Sequence, residues 1–293
     1  MSSEKIIDGR ILSSQIKNEV KEETARLYKE KGIKPGLAFI LVGENPASQV
    51  YVRNKGKACE ETGFHSVTKV LPEKTEEGQI LDLIRNFNED KSIHGILVQL
   101  PLPKHISEDK IIEAIDFRKD VDGFHPHNVG NLLIGRKGFI SCTPYGIIEM
   151  IKRHGIKTSG MNTVIIGRSN IVGKPMAALF LRKDINSTVT VCHSATRDIK
   201  EYTLGADILV AAIGKPFFVK EDMVKEGAVI IDVGINRIDD ANAPKGTRLV
   251  GDVDYDGCFD KVSKITPVPG GVGLMTIAML MRNTLDAALG RVF

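Results

Sequence analysis

Hydrophobic and polar positions follow two rhythms along this chain: continuous apolar runs of strand length, and stretches in which apolar residues recur three or four apart. Ile16, Val20 and Leu27 fall on one face of a charged helix that Gly32 ends, and Leu37 to Gly43 (LAFILVG) is an unbroken apolar run of the kind found in buried parallel strands. Tyr51 to Gly63 then reads as a helix, His65 to Leu71 as a strand, Ile80, Ile84 and Phe87 as the apolar face of a helix, and His94 to Leu100 as a further buried strand stopped by Pro101. The second half repeats the alternation with strands at 163–167, 188–192, Asp207–Gly214 and Ala228–Asn236. Such runs, separated by helix-length connections, predict an α/β protein whose parallel sheets are covered on both faces.

The length of 293 residues suits two domains, each with its own core. The expected boundary lies at Cys142-Thr143-Pro144, where a helix carrying Ile147 to His154 leads onward. The closing segment, Met275 to Phe293, carries Ile277, Met281, Thr284, Leu285 and Ala288 on one stripe, and is expected to return to the first domain. The domains are therefore 1–143 with about 276–293, and 144–275, with a cleft between them.

Residues 163–175, TVIIGRSNIVGKP, change this picture most. A β-branched run ends at Gly167 and Gly173-Lys174-Pro175 opens a helix, so unpaired backbone N–H groups and the positive helix end are offered to an anion. The spacing departs from the G-x-G-x-x-G fingerprint, since Ser169 stands at the second glycine and Gly173 comes one residue late. The next strand, TVTVC, ends where a Rossmann-like fold reads the adenosine ribose. No acid lies between Val189 and Thr196, while Ser194, Arg197 and Arg168 are at hand, a set that suits the 2′-phosphate of NADP better than the ribose of NAD. The alternative is that Arg168 and Arg197 are merely solvated cations.

Composition narrows the function further. With 40 basic and 37 acidic residues the net charge is +3, which gives no electrostatic footprint for nucleic acid. No segment approaches the ~20 consecutive apolar residues of a membrane span, and the start has no signal-peptide core, so a cytoplasmic protein is expected. Cys59, Cys142, Cys192 and Cys258 are scattered as reduced thiols, and His125-Pro126-His127 lacks the further ligands of a metal site, so no metal is expected.

Four features carry candidate chemistry. Tyr51 and Lys55 are four apart on a predicted helix and share a face, where a lysine in a partly dry cleft can serve acid–base chemistry; the alternative is a solvated lysine. Gln99 is a polar side chain at the carboxyl end of a buried strand, where ligands sit, or a glutamine satisfied by nearby backbone. Asp120 and Asp122 share a turn with Gly123, ordinarily a matter of turn chemistry. The loop TPVPGGVG, with Gly270, Gly271 and Gly273 and two stiffening prolines, suits a backbone wall against a flat ligand.

Taken in order and spacing, SQVYVRNK, GILVQLPLP, KDVDGF, CTPYG, GRSNIVGKP, VGDV and ITPVPGGVG closely resemble the bifunctional methylenetetrahydrofolate dehydrogenase/methenyltetrahydrofolate cyclohydrolase family, over essentially the whole chain. The resemblance implies an N-terminal α/β folate-binding catalytic domain and a Rossmann-like NADP domain. It implies that Lys55 is the acid–base residue, that Tyr51 stacks on folate, that Gln99 holds the lysine and that Asp122 binds the amino-pyrimidine edge. Tyr51, Val52, Arg53, Asn54 and Lys55, then Val98, Gln99 and Leu100, then Asp122, and finally Pro269, Gly270, Gly271, Val272 and Gly273 would line the folate. Gly167, Arg168, Ser169, Ser194 and Ile235 would contact NADP. It further implies NADP-dependent oxidation of 5,10-methylenetetrahydrofolate, hydrolysis to 10-formyltetrahydrofolate for one-carbon metabolism and purine biosynthesis, and a homodimer. The alternatives are a monofunctional NAD-linked dehydrogenase and a non-catalytic binding subunit. Two positions depart from good pattern. Leu274 replaces the family's usual proline, with slightly altered loop geometry expected, and Gly56 is a poor residue for a helix interior.

Overall fold

The computed structural model describes residues 3–243 and 246–293; Met1, Ser2, Pro244 and Lys245 lie outside the described residues, as do the side chains of Ser3 and Ala47. The chain forms two compact units. One comprises Ser14–Cys142 with Ile277–Phe293, the other the start of the chain to Ser13 with Thr143–Thr276.

The first unit is built from α1 (Gly9–Lys31, most of it here), β1 (Gly36–Val42), α2 (Pro46–Thr62), β2 (His65–Leu71), α3 (Glu77–Glu89), β3 (Gly95–Val98), α4 (Glu108–Ala114) and α5 (Pro126–Leu133). The strands form a parallel sheet in the order β2-β1-β3. Central β1 is buried at every position, which explains its unbroken apolar run, whereas edge strand β2 is mostly exposed. Ala38, Ile40 and Val42 on one face of β1 form a core with Ile80, Ile84 and Phe87 of α3 and Ile111 of α4. Burial of each large apolar side chain contributes about 1.5–3 kcal/mol. A reciprocal capping box between Glu76 and Gln79 fixes where α3 begins.

The second unit contains α6 (Cys142–Arg153, from its second residue), β4 (Asn162–Ile166), α7 (Gly173–Leu181), β5 (Thr188–Cys192), α8 (Ile199–Thr203), β6 (Ile208–Ala211), β7 (Val229–Asp232), β8 (Asn236–Asp239), β9 (Thr247–Val250), α9 (Tyr255–Cys258), β10 (Lys264–Ile265) and the start of α10 (Val272–Ala288). Five strands make a parallel sheet in the order β10-β7-β6-β4-β5, and β8 with β9 forms an antiparallel hairpin. Strand order reverses between β4 and β6, the switch point where doubly wound sheets open a crevice at their carboxyl ends.

Three expectations change. The start of the chain was expected in the first domain. Instead Ile6 bridges Ile265 in parallel, Ile7 N–H donates to Ile265 O (2.9 Å) and Gly9 N–H to Gly270 O (2.9 Å), so an edge position on the second unit's sheet captures it. The run Ala228–Asn236 is not one strand. It breaks after Asp232, whose carboxylate accepts the Gly234 N–H (2.9 Å), and resumes at Asn236 in the hairpin. Strand β3 stops at Val98, leaving Gln99 just beyond it, although the Gln99 N–H still reaches Ile40 O (2.9 Å).

Among the described residues no helix is long and apolar enough to cross a membrane. All four cysteines are free and buried.

Candidate active site

In the first unit, α2 places Tyr51 and Lys55 one turn apart, and the core decides how each is presented. Lys55 is buried at 7% exposure while Tyr51 stays at 37%. An ammonium so enclosed needs a partner, and Lys55 Nζ donates to Gln99 Oε1 at 3.0 Å. The glutamine is itself oriented, because its Nε2 donates to Leu100 O at 2.7 Å, which leaves Oε1 turned to the lysine. Partial burial raises the Tyr51 phenol above its usual range.

The third member is Asp122. Burial raises its carboxyl, and the charge of Lys55 and a hydrogen bond from Cys142 oppose that rise. Lys55, Gln99 and Asp122 therefore share one constellation, assembled from a helix, a strand end and a turn. The Cys142 thiol is pushed well above its ordinary range by burial and by the Asp122 charge, so it acts here as a neutral donor.

The turn bearing Asp122 is held from both sides, by its own Asp120 and by Asn283, which sequence reasoning did not single out. Asp120, 2% exposed, accepts from the N–H of Phe124 (3.2 Å), the N–H of His125 (2.8 Å) and Asn128 Nδ2 (2.8 Å). From α10, buried Asn283 sends its Nδ2 to Val121 O (2.8 Å) and Ile140 O (3.0 Å). The sequence carries no clear signal for Asn283, which lies between Arg282 and Thr284 in the polar part of α10. His125 and His127 serve the local structure. The His125 ring accepts the His127 N–H (3.0 Å) at the start of α5, and His127 stacks on Phe117 at 3.9 Å.

The other expected folate contacts on this unit divide by burial. Val52 and Val98 point into the apolar interior, Arg53 and Asn54 are exposed, and Leu100 is half-buried. Pro269 to Gly273 belong to the second unit, where Gly9 N–H and Arg10 Nη2 (3.4 Å to Pro269 O) tie the loop to the beginning of α1. A Cβ at Gly9 would stand 2.1 Å from Gly271 O, so the chain's first glycine is a packing requirement of this loop. Val272 is buried. Leu274 uses the N–H that a proline would lack, donating to Gly271 O at 3.4 Å in the first turn of α10.

The same unit gathers the expected dinucleotide contacts at the carboxyl end of its sheet. Gly167, at φ +127°, approaches its neighbour so closely that a Cβ would stand 2.2 Å from Ala212 O, and a Cβ at Gly173 would stand 2.2 Å from Gly167 O. The departure at Ser169 is constructive. Its Oγ accepts the N–H groups of Val172 (3.1 Å) and Gly173 (3.4 Å), closing the turn that a second glycine would otherwise shape. Beside it, Gly167 N–H donates to Cys192 O (2.8 Å) at the end of β5, where a 193–196 turn leaves Ser194 exposed. Arg168 and Arg197 are exposed, and Ile235 is 47% exposed against Gly273. This glycine cradle with hydroxyls and guanidinium groups fits a phosphorylated dinucleotide.

Comparison with known proteins agrees with this geometry. Residues 7–122 match the sequence model of the tetrahydrofolate dehydrogenase/cyclohydrolase catalytic domain, and residues 141–292 that of the tetrahydrofolate dehydrogenase/cyclohydrolase NAD(P)-binding domain. The chain is 58% identical over 286 residues to the bifunctional protein FolD of Chlorobium phaeovibrioides, covering 96% of this chain and 97% of that protein. The crystal structure of the bifunctional FolD dehydrogenase/cyclohydrolase from Campylobacter jejuni superposes with a TM-score of 0.93 at 51% identity, covering 98% and 99% of the two chains. The Trypanosoma brucei dehydrogenase-cyclohydrolase, solved with NADP and an inhibitor, gives 0.93 at 39% identity, covering 98% of each chain.

Proposed function

The chain belongs to the tetrahydrofolate dehydrogenase/cyclohydrolase family, and on that premise we propose that it oxidises 5,10-methylenetetrahydrofolate to the 5,10-methenyl compound with NADP and then hydrolyses that product to 10-formyltetrahydrofolate. The observation that carries the reading is the buried Lys55 Nζ bonded to Gln99 Oε1 at 3.0 Å with Asp122 beside it. Opening a methenyl ring by water requires a group that moves a proton at one place, and a lysine fixed by a glutamine does so without surrendering its position.

NADP, when bound, supplies the hydride acceptor. The Gly167–Gly173 turn would cradle its pyrophosphate, Arg168 and Ser194 its 2′-phosphate, and Ile235 its flank. On the folate side, Tyr51 would stack on the ring system and the Asp122 carboxylate would accept paired N–H bonds from the amino-pyrimidine edge. Main-chain groups around Val52, Arg53, Asn54, Val98 and Leu100 would complete its walls on this unit. A homodimer in the cytoplasm, with domains 14–142 plus 277–293 for folate and 143–276 for NADP, is part of the same reading.

Replacing Lys55 tests it. Lys55→Met should abolish hydrolysis of 5,10-methenyltetrahydrofolate, followed by its absorbance, while NADP binding remains; retained hydrolysis would remove Lys55 from the role.

A further inference from the structure

Asp252 is fully enclosed, yet it is absent from the chemistry above. Its carboxylate takes four donors: Oδ2 accepts the backbone N–H groups of Ile213 (2.6 Å) and Gly214 (2.9 Å), and Oδ1 accepts the Lys215 N–H (2.9 Å) and Asn236 Nδ2 (2.9 Å). Three successive N–H groups converging on one anion, with Gly214 at φ +73°, form the concave backbone arrangement that ordinarily holds a free anion. Here a side chain of the same unit fills it.

The segment so held is the loop that leaves β6 at the switch point. Ala212 N–H donates to Ile166 O (2.9 Å), and Ala212 O is the atom that leaves no room for a Cβ on Gly167. The 212–215 backbone is therefore the opposite wall of the crevice whose first wall is the β4–α7 turn. Through Asn236 the same carboxylate also restrains the residue after Ile235. Two glycines exist to admit this arrangement. A Cβ at Gly234 would stand 2.4 Å from Asp252 Cγ, and one at Gly251 would stand 1.8 Å from Asp232 Oδ2. Asp232 in turn accepts the N–H groups of Asp252 (2.9 Å), Val253 (3.0 Å) and Gly234 (2.9 Å), which fixes the strand end carrying Asp252.

We propose that Asp252 is a positioning residue of the dinucleotide site, holding the Ile213-Gly214-Lys215 wall and the Ile235-Asn236 segment at the spacing NADP requires. This rests on the reading that the crevice takes NADP, and the bifunctional chemistry supplies an internal control, because ring hydrolysis consumes no dinucleotide.

The test is Asp252→Asn in the full chain, which keeps the shape but turns one acceptor oxygen into an amide donor facing N–H groups. NADP affinity, read by titration of the free enzyme, should weaken about tenfold or more, the equivalent of losing one or two charge-assisted hydrogen bonds. Dehydrogenase KM for NADP should rise with it, while hydrolysis of 5,10-methenyltetrahydrofolate stays within about twofold of wild type. Asn236→Ala, which removes a single donor, should weaken NADP about threefold and spare hydrolysis likewise. Unchanged NADP affinity in both variants overturns the proposal. So does parallel loss of both activities in Asp252→Asn with Asn236→Ala binding NADP normally, since that marks a purely structural carboxylate. If the wild-type chain itself fails to bind NADP, the reading of the crevice falls, and the proposal with it.

Discussion

Replacing Asn283 by alanine probes how a helix far along the chain sets the Asp122 carboxylate, proposed above to meet the folate. The side chain is 4% exposed and its Nδ2 serves Val121 O at 2.8 Å and Ile140 O at 3.0 Å, the two strands of backbone that flank the Asp122 turn. Alanine withdraws both donors from buried carbonyls. The Cys142 thiol, which also reaches Val121 O (3.3 Å), is a weaker substitute. Each deprived buried acceptor costs about 1–3 kcal/mol, and a small cavity adds to this, so a loss on the order of 3 kcal/mol is expected. For 293 residues that corresponds to a fall in Tm of roughly 5 °C. The turn carrying Asp122 loosens at the same time, so KM for the folate substrate should rise several-fold while NADP affinity, which belongs to the other unit, stays at the wild-type value. Calorimetry and steady-state kinetics at saturating NADP measure both effects. A variant that melts like wild type, or that loses NADP affinity as much as folate affinity, would refute the argument that Asn283 acts through the Asp122 turn.

Two further outcomes follow from the same physics. The Asp120 carboxyl is pushed up to about 7 by burial, despite the N–H groups that favour its charged form. Because that lies above the unfolded value, its stabilising contribution is complete below about pH 4 and is lost as pH rises through about 7. The stability of wild type relative to Asp120→Asn should therefore fall by on the order of 2 kcal/mol between about pH 5 and about pH 8 in urea titrations, and a pH-independent difference would contradict it. Gly56→Ala should raise stability by up to about 1 kcal/mol, since Gly56 lies inside the continuous helix α2 with nothing within 4 Å of an added Cβ. A lower unfolding midpoint would show that the glycine is needed for some close approach.

The strand and helix rhythm of both units, the buried central strands and the glycine turn after β4 were legible because they depend on local periodicity and on backbone rules that neighbouring residues obey together. Lys55 and Tyr51 were legible as a pair for the same reason, one helical turn apart. Periodicity alone could not join Lys55 to Gln99 and Asp122, which come from three separate elements and meet only through packing; only the family resemblance named them together. Nor could it show that the first residues of the chain cross to the second unit's sheet, because that pairing depends on a free edge at β10, more than 250 residues away in the chain. The Ala228–Asn236 run shows the limit most directly. Its apolar pattern predicts one strand, yet buried Asp232, held by three distant or neighbouring N–H groups, ends it after four residues. Periodicity fixes which face of an element is apolar; where each buried polar group finds its donors is decided only when the chain has closed around it.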